Sequence, residues 1–498
     1  MKQFLTSLLG SLVALFIFSI GLFLLAAGIA GAIVSSGLKR TEPAETRVEP
    51  GSYLVYDLSS NLTDSPPEYD LSAFGAREDT LQLKTVIQAL RVAAHDPRIS
   101  GLLLVGSFRP VGIGTGYGAL QELRWALLAF RASGKPIEAY LNFATTRDYY
   151  IASVANEIDI DPYGVLYMPG LAVEPMFYAG AFQKYGIGVQ VTRVGKYKNY
   201  VEPFTRENMS PASREETQRL LDDIWGSILN GVSRSRHLTV PRIQAIVDSE
   251  GLIRADVALR DHLVDRVEYR DQLIDTIRRR AGRADGTHTF KQVALADYAK
   301  RLHRHPARGS GRIAIVYAEG DIVDGEGDYT DVGGERFARE LRKLRQDANV
   351  KAIVLRVDSP GGSASAAEDI QHEVQLARRV KPVVVSMGSY AASGGYWISI
   401  YGTRIFAEPM TITGSIGVFG MTFDIQKLAA NFGITFDRVK TGKFADAMTI
   451  TRPKTPEEMA HLQAMVDWIY NQFVDKVAQG RNLPVARVRE IAQGRVWS

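Results

Sequence analysis

The stretch Lys381 to Gly420, KPVVVSMGSY AASGGYWISI YGTRIFAEPM TITGSIGVFG, decides how the rest of the chain is read. Its opening, Pro382-Val383-Val384-Val385-Ser386-Met387, is a short apolar and β-branched run of the kind that forms a strand buried on both faces. After Gly394-Gly395, the run Tyr396-Trp397-Ile398-Ser399-Ile400 suits the first turns of a buried helix. Between the two stands Ser393. A serine at a strand-to-helix break, followed by a glycine whose N–H is unencumbered, presents its hydroxyl beside a backbone donor, which is how a nucleophile is displayed. Taken alone, Ala391-Ala392-Ser393-Gly394-Gly395 is what tight helix packing uses; the surroundings are what favour a nucleophile.

The chain has 498 residues, enough for two or three domains with their own cores. Charged residues at 23% and apolar ones at 46% describe globular material, and a net charge of +4 is too small to point to nucleic acid. The absence of cysteine excludes disulfides, thiol catalysis and Cys-ligated zinc, and fits a place outside the cytosol. The eight histidines, from His95 to His461, show no HExxH spacing, so no metal centre or cofactor is expected. From Phe4 to Leu38 no side chain is charged. That run exceeds the roughly 20 residues needed to cross a bilayer and the usual signal-peptide core of about 7 to 15, so one uncleaved membrane-spanning helix is expected. A long signal peptide cut between Ala27 and Ala32 is the alternative. Lys2 on one side and Lys39-Arg40 on the other leave its orientation open.

Beyond a polar tether, an α/β pattern runs twice. Strand-like runs stand at Tyr53–Tyr56, Gly101–Val105 and Lys135–Tyr140, and again at Ile313–Tyr317, Ala352–Val357 and Lys381–Val385, with helical periods such as Thr80–Ala94 and Ala364–Arg379 between them. Subtraction fixes the register. Lys135-Pro136 and Lys381-Pro382 differ by 246, as do Tyr150 and Tyr396; Arg193 and Arg438 differ by 245, as do Ser210-Pro211 and Thr455-Pro456. The expected division is 1–45 anchor and tether, 46–282 first repeat, 283–311 linker and 312–498 second repeat. Thr455, Pro456 and Glu458 form a capping box opening a long helix. Its stripe of Met459, Leu462, Met465, Val466, Ile469, Phe473 and Val477 reads as core or interface. The first repeat continues some thirty residues past Ile246, whereas Ser498 lies seven past the equivalent Ile491, so the second repeat is expected to be truncated.

An offset of 246 puts Arg147 at the place of Ser393 and Asp148 at that of Gly394, so the first repeat has lost the serine. It has also lost Asp358-Ser359-Pro360-Gly361-Gly362-Ser363, where Ser107-Phe108-Arg109-Pro110 stands instead. Pro-Gly-Gly after a buried strand is a turn whose bare N–H groups approach a ligand closely; lost together with the serine, it reads as the other half of an oxyanion site. For a base, the second repeat offers only His372 and His461, both within helical patterns that do not suit a triad. A lysine is the alternative, although freeing its amine at pH 7 costs roughly 4 to 5 kcal/mol from the ordinary lysine value of about 10.4, unless its setting is desolvated.

Together with Thr411-Ile412-Thr413-Gly414-Ser415-Ile416-Gly417 and the segment Arg193 to Pro211, RVGKYKNYVEPFTRENMSP, these motifs resemble the signal peptide peptidase A family, the long duplicated bacterial form of the S49 serine peptidases. The resemblance covers nearly the whole chain. It implies a Clp protease/crotonase-like fold in two tandem α/β repeats, with the nucleophile Ser393 from the second and the general base Lys198 from the first. It implies oxyanion N–H groups from Gly361 and Gly394, and Ser415 holding the amine. Both repeats keep a lysine here, since 198 + 245 = 443, so Lys443 is the competitor for the base; if the family arrangement holds, Lys443 faces the inactive site at Arg147. Further implications are no cofactor or metal, a ring-like homotetramer, and peptide substrates such as remnant signal peptides. The place implied is the bacterial inner membrane, with the catalytic part in the periplasm. The readings set against this one are a crotonase-type acyl-CoA enzyme and a non-catalytic scaffold that kept the fold.

Overall fold

The computed structural model describes residues 48–66, 80–108, 115–281, 289–302 and 311–498. The expected membrane helix, Phe4 to Leu38, lies outside them. Among the described residues no helix is long and apolar enough to cross a membrane.

Each repeat builds a mainly parallel sheet from the runs that the β-branched pattern marks. In the first, Ser52–Asp57, Ile99–Val105, Ile137–Thr145 and Glu157–Tyr167 lie side by side and parallel, and Leu252–Arg254 closes the edge antiparallel to the last. In the second, Arg312–Glu319, Val350–Ser359 and Val383–Ala392 are parallel neighbours. Here two short strands, Arg404–Phe406 and Ile412–Gly414, stand where the first repeat has one long strand, and Val496–Trp497 closes the edge antiparallel. The strands are apolar on both faces because helices cover both: Ile353, Leu355, Val357, Val383 and Val385 pack with Ile370, Val374, Ile398, Val474 and Val477, all essentially without solvent contact. Burying each such side chain contributes about 1.5–3 kcal/mol.

The period read as a helix from Thr80 begins with a strand, Thr80–Gln82, and becomes helical only at Leu83–His95. Within the expected linker, where the sequence carries a short helical pattern around Val293 to Leu302, Leu295–Leu302 is a helix with Leu295, Tyr298 and Ala299 buried, and Gln292–Ala294 adds an edge strand to the first sheet, Leu54 pairing with Val293. Alternating buried positions fix that segment to the first repeat.

The repeats are also interlocked. Strand Gly188–Val194 of the first pairs antiparallel with Val418–Asp424 of the second, from Val194 opposite Val418 to Gly188 opposite Asp424. This pairing carries the loop that contains Lys198 onto the second repeat.

Candidate active site

Ser393 ends strand Val383–Ala392 and precedes the short helix Gly394–Ser399, as the opening motif predicts. Its backbone has φ 54° and ψ −116°, a left-handed conformation that a residue with a Cβ adopts at a cost of order 1–3 kcal/mol. Three interactions hold it there: its N–H donates to Gly414 O at 2.9 Å, its carbonyl accepts from Trp397 N–H at 2.9 Å, and Gly361 packs beneath its Cβ. A Cβ added to Gly361 would lie 2.8 Å from that of Ser393 and 2.6 Å from Gly394 N, so only glycine fits.

Lys198 arrives from the first repeat and is 5% exposed. Its Nζ lies 3.0 Å from Ser393 Oγ, 2.9 Å from Ser415 Oγ and 3.2 Å from Ser415 O. Ser415 is itself at φ 51°, so two of the five non-glycine residues with positive φ among the described residues touch this amine. Every direct partner of the amine is neutral. Burial lowers its pKa to about 8, against an opposing pull from the carboxylate of Glu216. About one unit above neutrality, the cost of the free amine at pH 7 falls to about 1.4 kcal/mol. As an ammonium the group donates to the Ser393 hydroxyl and to both oxygens of Ser415; once neutral it keeps two N–H groups for Ser415 and turns its lone pair to the Ser393 hydroxyl.

Of the two glycines expected to offer N–H groups, Gly394 lines the cavity, and beside it stands Gly362 rather than Gly361. Gly361 N–H donates to Ser359 Oγ at 3.2 Å, whereas Gly362 and Gly394 line the cavity beside Ser393 and their N–H groups meet no protein acceptor among the described residues. The two lie together, since a Cβ on Gly394 would sit 3.2 Å from Gly362 N. Gly361 turns the chain, at φ 112°, and Gly362, bridged to Ile322, lines the site. Nothing in the composition of Pro-Gly-Gly says which glycine does which.

The two sheets pair these strands with the same stagger, Tyr390 with Ile412 and Phe143 with Val165, 412 − 390 = 165 − 143 = 22 residues apart in each. Arg147, which the offset of 246 sets against Ser393, is buried with its guanidinium over the Phe108 ring. Lys443 stays away from any serine: it is largely exposed and paired with Glu457 at 2.5 Å. His372 and His461 are both exposed.

A cavity of about 420 Å³ opens beside Ser393. Its wall includes Met459, Leu462, Met465, Val466, Ile469 and Phe473 of the stripe expected to be core or interface, while Phe473 and Val477 also pack in the second repeat's core. Periodicity marks a helical face as apolar and does not tell a packed face from a face that lines a groove. The C-terminal segment also went unread. Gln493 O accepts from Tyr197 N–H, Arg495 O from Ser415 N–H, and a Cβ at Gly494 would fall 2.6 Å from Lys198 N.

The family description "Peptidase family S49" matches residues 129–283 and 375–498, two segments whose starts differ by 375 − 129 = 246, the spacing of the internal repeat. "Protease 4" of Salmonella typhi is 37% identical over 463 residues, spanning 89% of this chain and 74% of that protein. "Serine protease SPPA, chloroplastic" of Arabidopsis thaliana is 32% identical over 462 residues, spanning 91% of this chain and 66% of that protein. A solved ClpP1 variant from Listeria monocytogenes matches 36% of this chain and 77% of its own at 13% identity and a TM-score of 0.22, too slight to weigh beside the strand pairings above. With the family description matching both repeats and a relative at 37% identity over most of both lengths, the chain belongs to peptidase family S49.

Proposed function

We propose that the protein is a membrane-anchored serine endopeptidase that cuts apolar peptides, remnant signal peptides among them, by a Ser393–Lys198 dyad on a Clp protease/crotonase-like fold. The observation that carries this is the 3.0 Å approach of a buried lysine amine to a serine hydroxyl held in a strained turn. In the first step Ser393 Oγ bonds to the scissile carbonyl carbon while its proton passes to Lys198 Nζ. The carbonyl oxygen becomes an oxyanion facing the N–H groups of Gly394 and Gly362. Collapse breaks the C–N bond, and the Lys198 ammonium returns the proton to the departing amine. Water then adds to the acyl-enzyme with the same amine as base, releasing the acid and restoring Ser393. The apolar, methionine-rich wall suits varied unbranched and branched side chains.

The uncharged run from Phe4 to Leu38 supports a single membrane anchor, with the catalytic part in the periplasm. Assembly with further copies, a ring of four in this reading, finds support in the segment 432–450. It is the counterpart of the segment by which the first repeat docks on the second, and it leaves Phe432, Ile434 and Met448 more than half exposed. A crotonase-type acyl-CoA enzyme has no use for a serine–lysine contact, and a scaffold has no reason to keep a strained serine against a buried amine.

A serine-reactive fluorophosphonate and a leucine-rich peptide test the reading. Ser393→Ala is expected to abolish both labelling and hydrolysis, and Lys198→Ala to lower both by at least about 10³-fold. Hydrolysis that survives Ser393→Ala would sink the proposal.

A further inference from the structure

Behind the site, the loop that carries Lys198 and the strand that cradles its amine hang from one carboxylate. Glu216 lies on helix Pro211–Arg236, faces inward and is 3% exposed. Its Oε2 accepts from Asn199 Nδ2 at 2.8 Å, and its Oε1 from the Val496 backbone N–H at 2.5 Å. Asn199 adjoins Lys198. Val496 follows Arg495, whose carbonyl takes the Ser415 N–H at 2.8 Å, and Ser415 holds the Lys198 amine. The contacts close a ring from Lys198 through Asn199, Glu216, Val496, Arg495 and Ser415 back to Lys198 Nζ. Asn199 Nδ2 has one further partner, Ser213 Oγ at 3.1 Å, on the same helix.

The charge at Glu216 has a consequence beyond these two hydrogen bonds. The charged groups that face Glu216 are Lys198 from the loop, Arg495 from the C-terminal strand and Glu202 from the turn after the loop. Arg495 is shared with Glu215 of the same helix, at 3.1 Å. Burial pushes Glu216 up to about 7, Arg495 and Lys198 draw it down, and Glu202 pushes it further up. The Glu216 carboxylate in turn favours the charged form of Lys198.

Resting on the reading of Lys198 as the base, we propose that Glu216 is a positioning residue for Lys198, fixing where the amine sits and at which pH it is free to take a proton. Neither the strain at Ser393 nor the oxyanion turn involves this carboxylate.

The test is the rate of fluorophosphonate labelling against pH, on the full chain. Wild type gives a rising limb as Lys198 loses its proton. Glu216→Gln removes the charge and keeps an acceptor for the Val496 N–H at its Oε1, while Asn199 turns its amide so that Oδ1 accepts from the new Nε2–H; its limb moves to lower pH by about half a unit to one unit, with a near-native plateau. Glu216→Ala loses both supports, and its plateau falls by about tenfold, a loss that the Gln variant does not share. Asn199→Ala cuts the loop side of the ring with the carboxylate left in place, so it slows the plateau without moving the limb down, and it stands in should Glu216→Ala fail to fold. A Gln limb that superposes on the wild-type limb overturns the electrostatic role, and Ala plateaus equal to wild type overturn the positioning. Failure of the underlying reading looks different: wild type would not label, or would label as well without Lys198.

Discussion

The two repeats end their third strand in opposite ways. In the first, Thr145 caps the following helix with an extended backbone, φ −79° and ψ 172°, and Asp148 completes a capping box. The Asp148 carboxylate is fully buried and accepts from Thr145 N–H at 2.7 Å, Thr145 Oγ1 at 2.6 Å, Ser107 Oγ at 2.6 Å and Phe108 N–H at 2.6 Å. The backbone donors of that junction are thus taken by the protein's own anion. In the second, Ser393 replaces the relaxed cap with a left-handed turn, and Gly394 and Gly362 leave their donors open. The same topology therefore admits a stable closed junction or a strained open one. The strain is kept where a transient oxyanion would replace the resident carboxylate.

The sharpest way to break the comparison is to close the open junction. In Gly394→Ala the new Cβ meets Gly361 Cα, Gly362 N and Ile322 Cδ1, each at 3.2 Å, and pushes the two donors apart. Peptide hydrolysis is expected to fall by about 10²-fold in kcat, with KM little changed, since the donors act on the oxyanion and not on the ground-state carbonyl. A wild-type kcat in this variant would show that the donors lie elsewhere.

The pH profile separates the repeats by their lysines. In the proposed mechanism Lys198 takes a proton only when neutral, and burial lowers its pKa to about 8. Activity therefore rises with pH and half-saturates near 8; at pH 7 about a tenth of the amine is free, so the rate drops about fivefold between 8 and 7. A limb centred near 6.5 instead would assign the proton acceptor to a histidine.

Much of this contrast was readable in the residues, and the unread parts share a cause. Strands such as Val383–Ala392 announce themselves because burial on both faces demands an unbroken β-branched run, and Ser393 stands out because it interrupts one. Lys198 came only with the family resemblance, for its partner lies 393 − 198 = 195 residues away and no local pattern encodes that approach. The one-residue choice between Gly361 and Gly362 depends on how the turn is closed, which its composition leaves free. The structural weight of Gln493 to Trp497 is hidden for a related reason: its hydrogen bonds to Tyr197, Ser415 and Glu216 are made by its backbone, which leaves no mark on residue type.

The closed junction predicts an effect of the opposite kind. Asp148→Ala leaves two buried N–H groups and two hydroxyls without their shared acceptor, a loss of about 3 kcal/mol in stability. The thermal midpoint should fall by a few degrees, while kcat of the folded enzyme stays within about twofold of wild type. Loss of kcat at a temperature where the variant is folded would mean that the first junction takes part in the chemistry.

The smallest expected effect is the most discriminating. Lys198 and Lys443 occupy matching places, 245 residues apart, and the repeat alone cannot separate them. Their surroundings can. Lys443 is solvated, pairs with Glu457, and lies over the Phe444 ring at 5.4 Å; a surface pair of this kind contributes about 0–1 kcal/mol. Lys198 has no carboxylate in contact and almost no water, which is why its proton can be lost near neutral pH. Lys443→Ala should leave peptide hydrolysis within about twofold of wild type, and the pH limb unmoved, in the same assay where Lys198→Ala removes activity. If instead Lys443→Ala displaced the limb, the division of labour between the repeats would have to be drawn the other way, with an exposed amine doing what a buried one is built for.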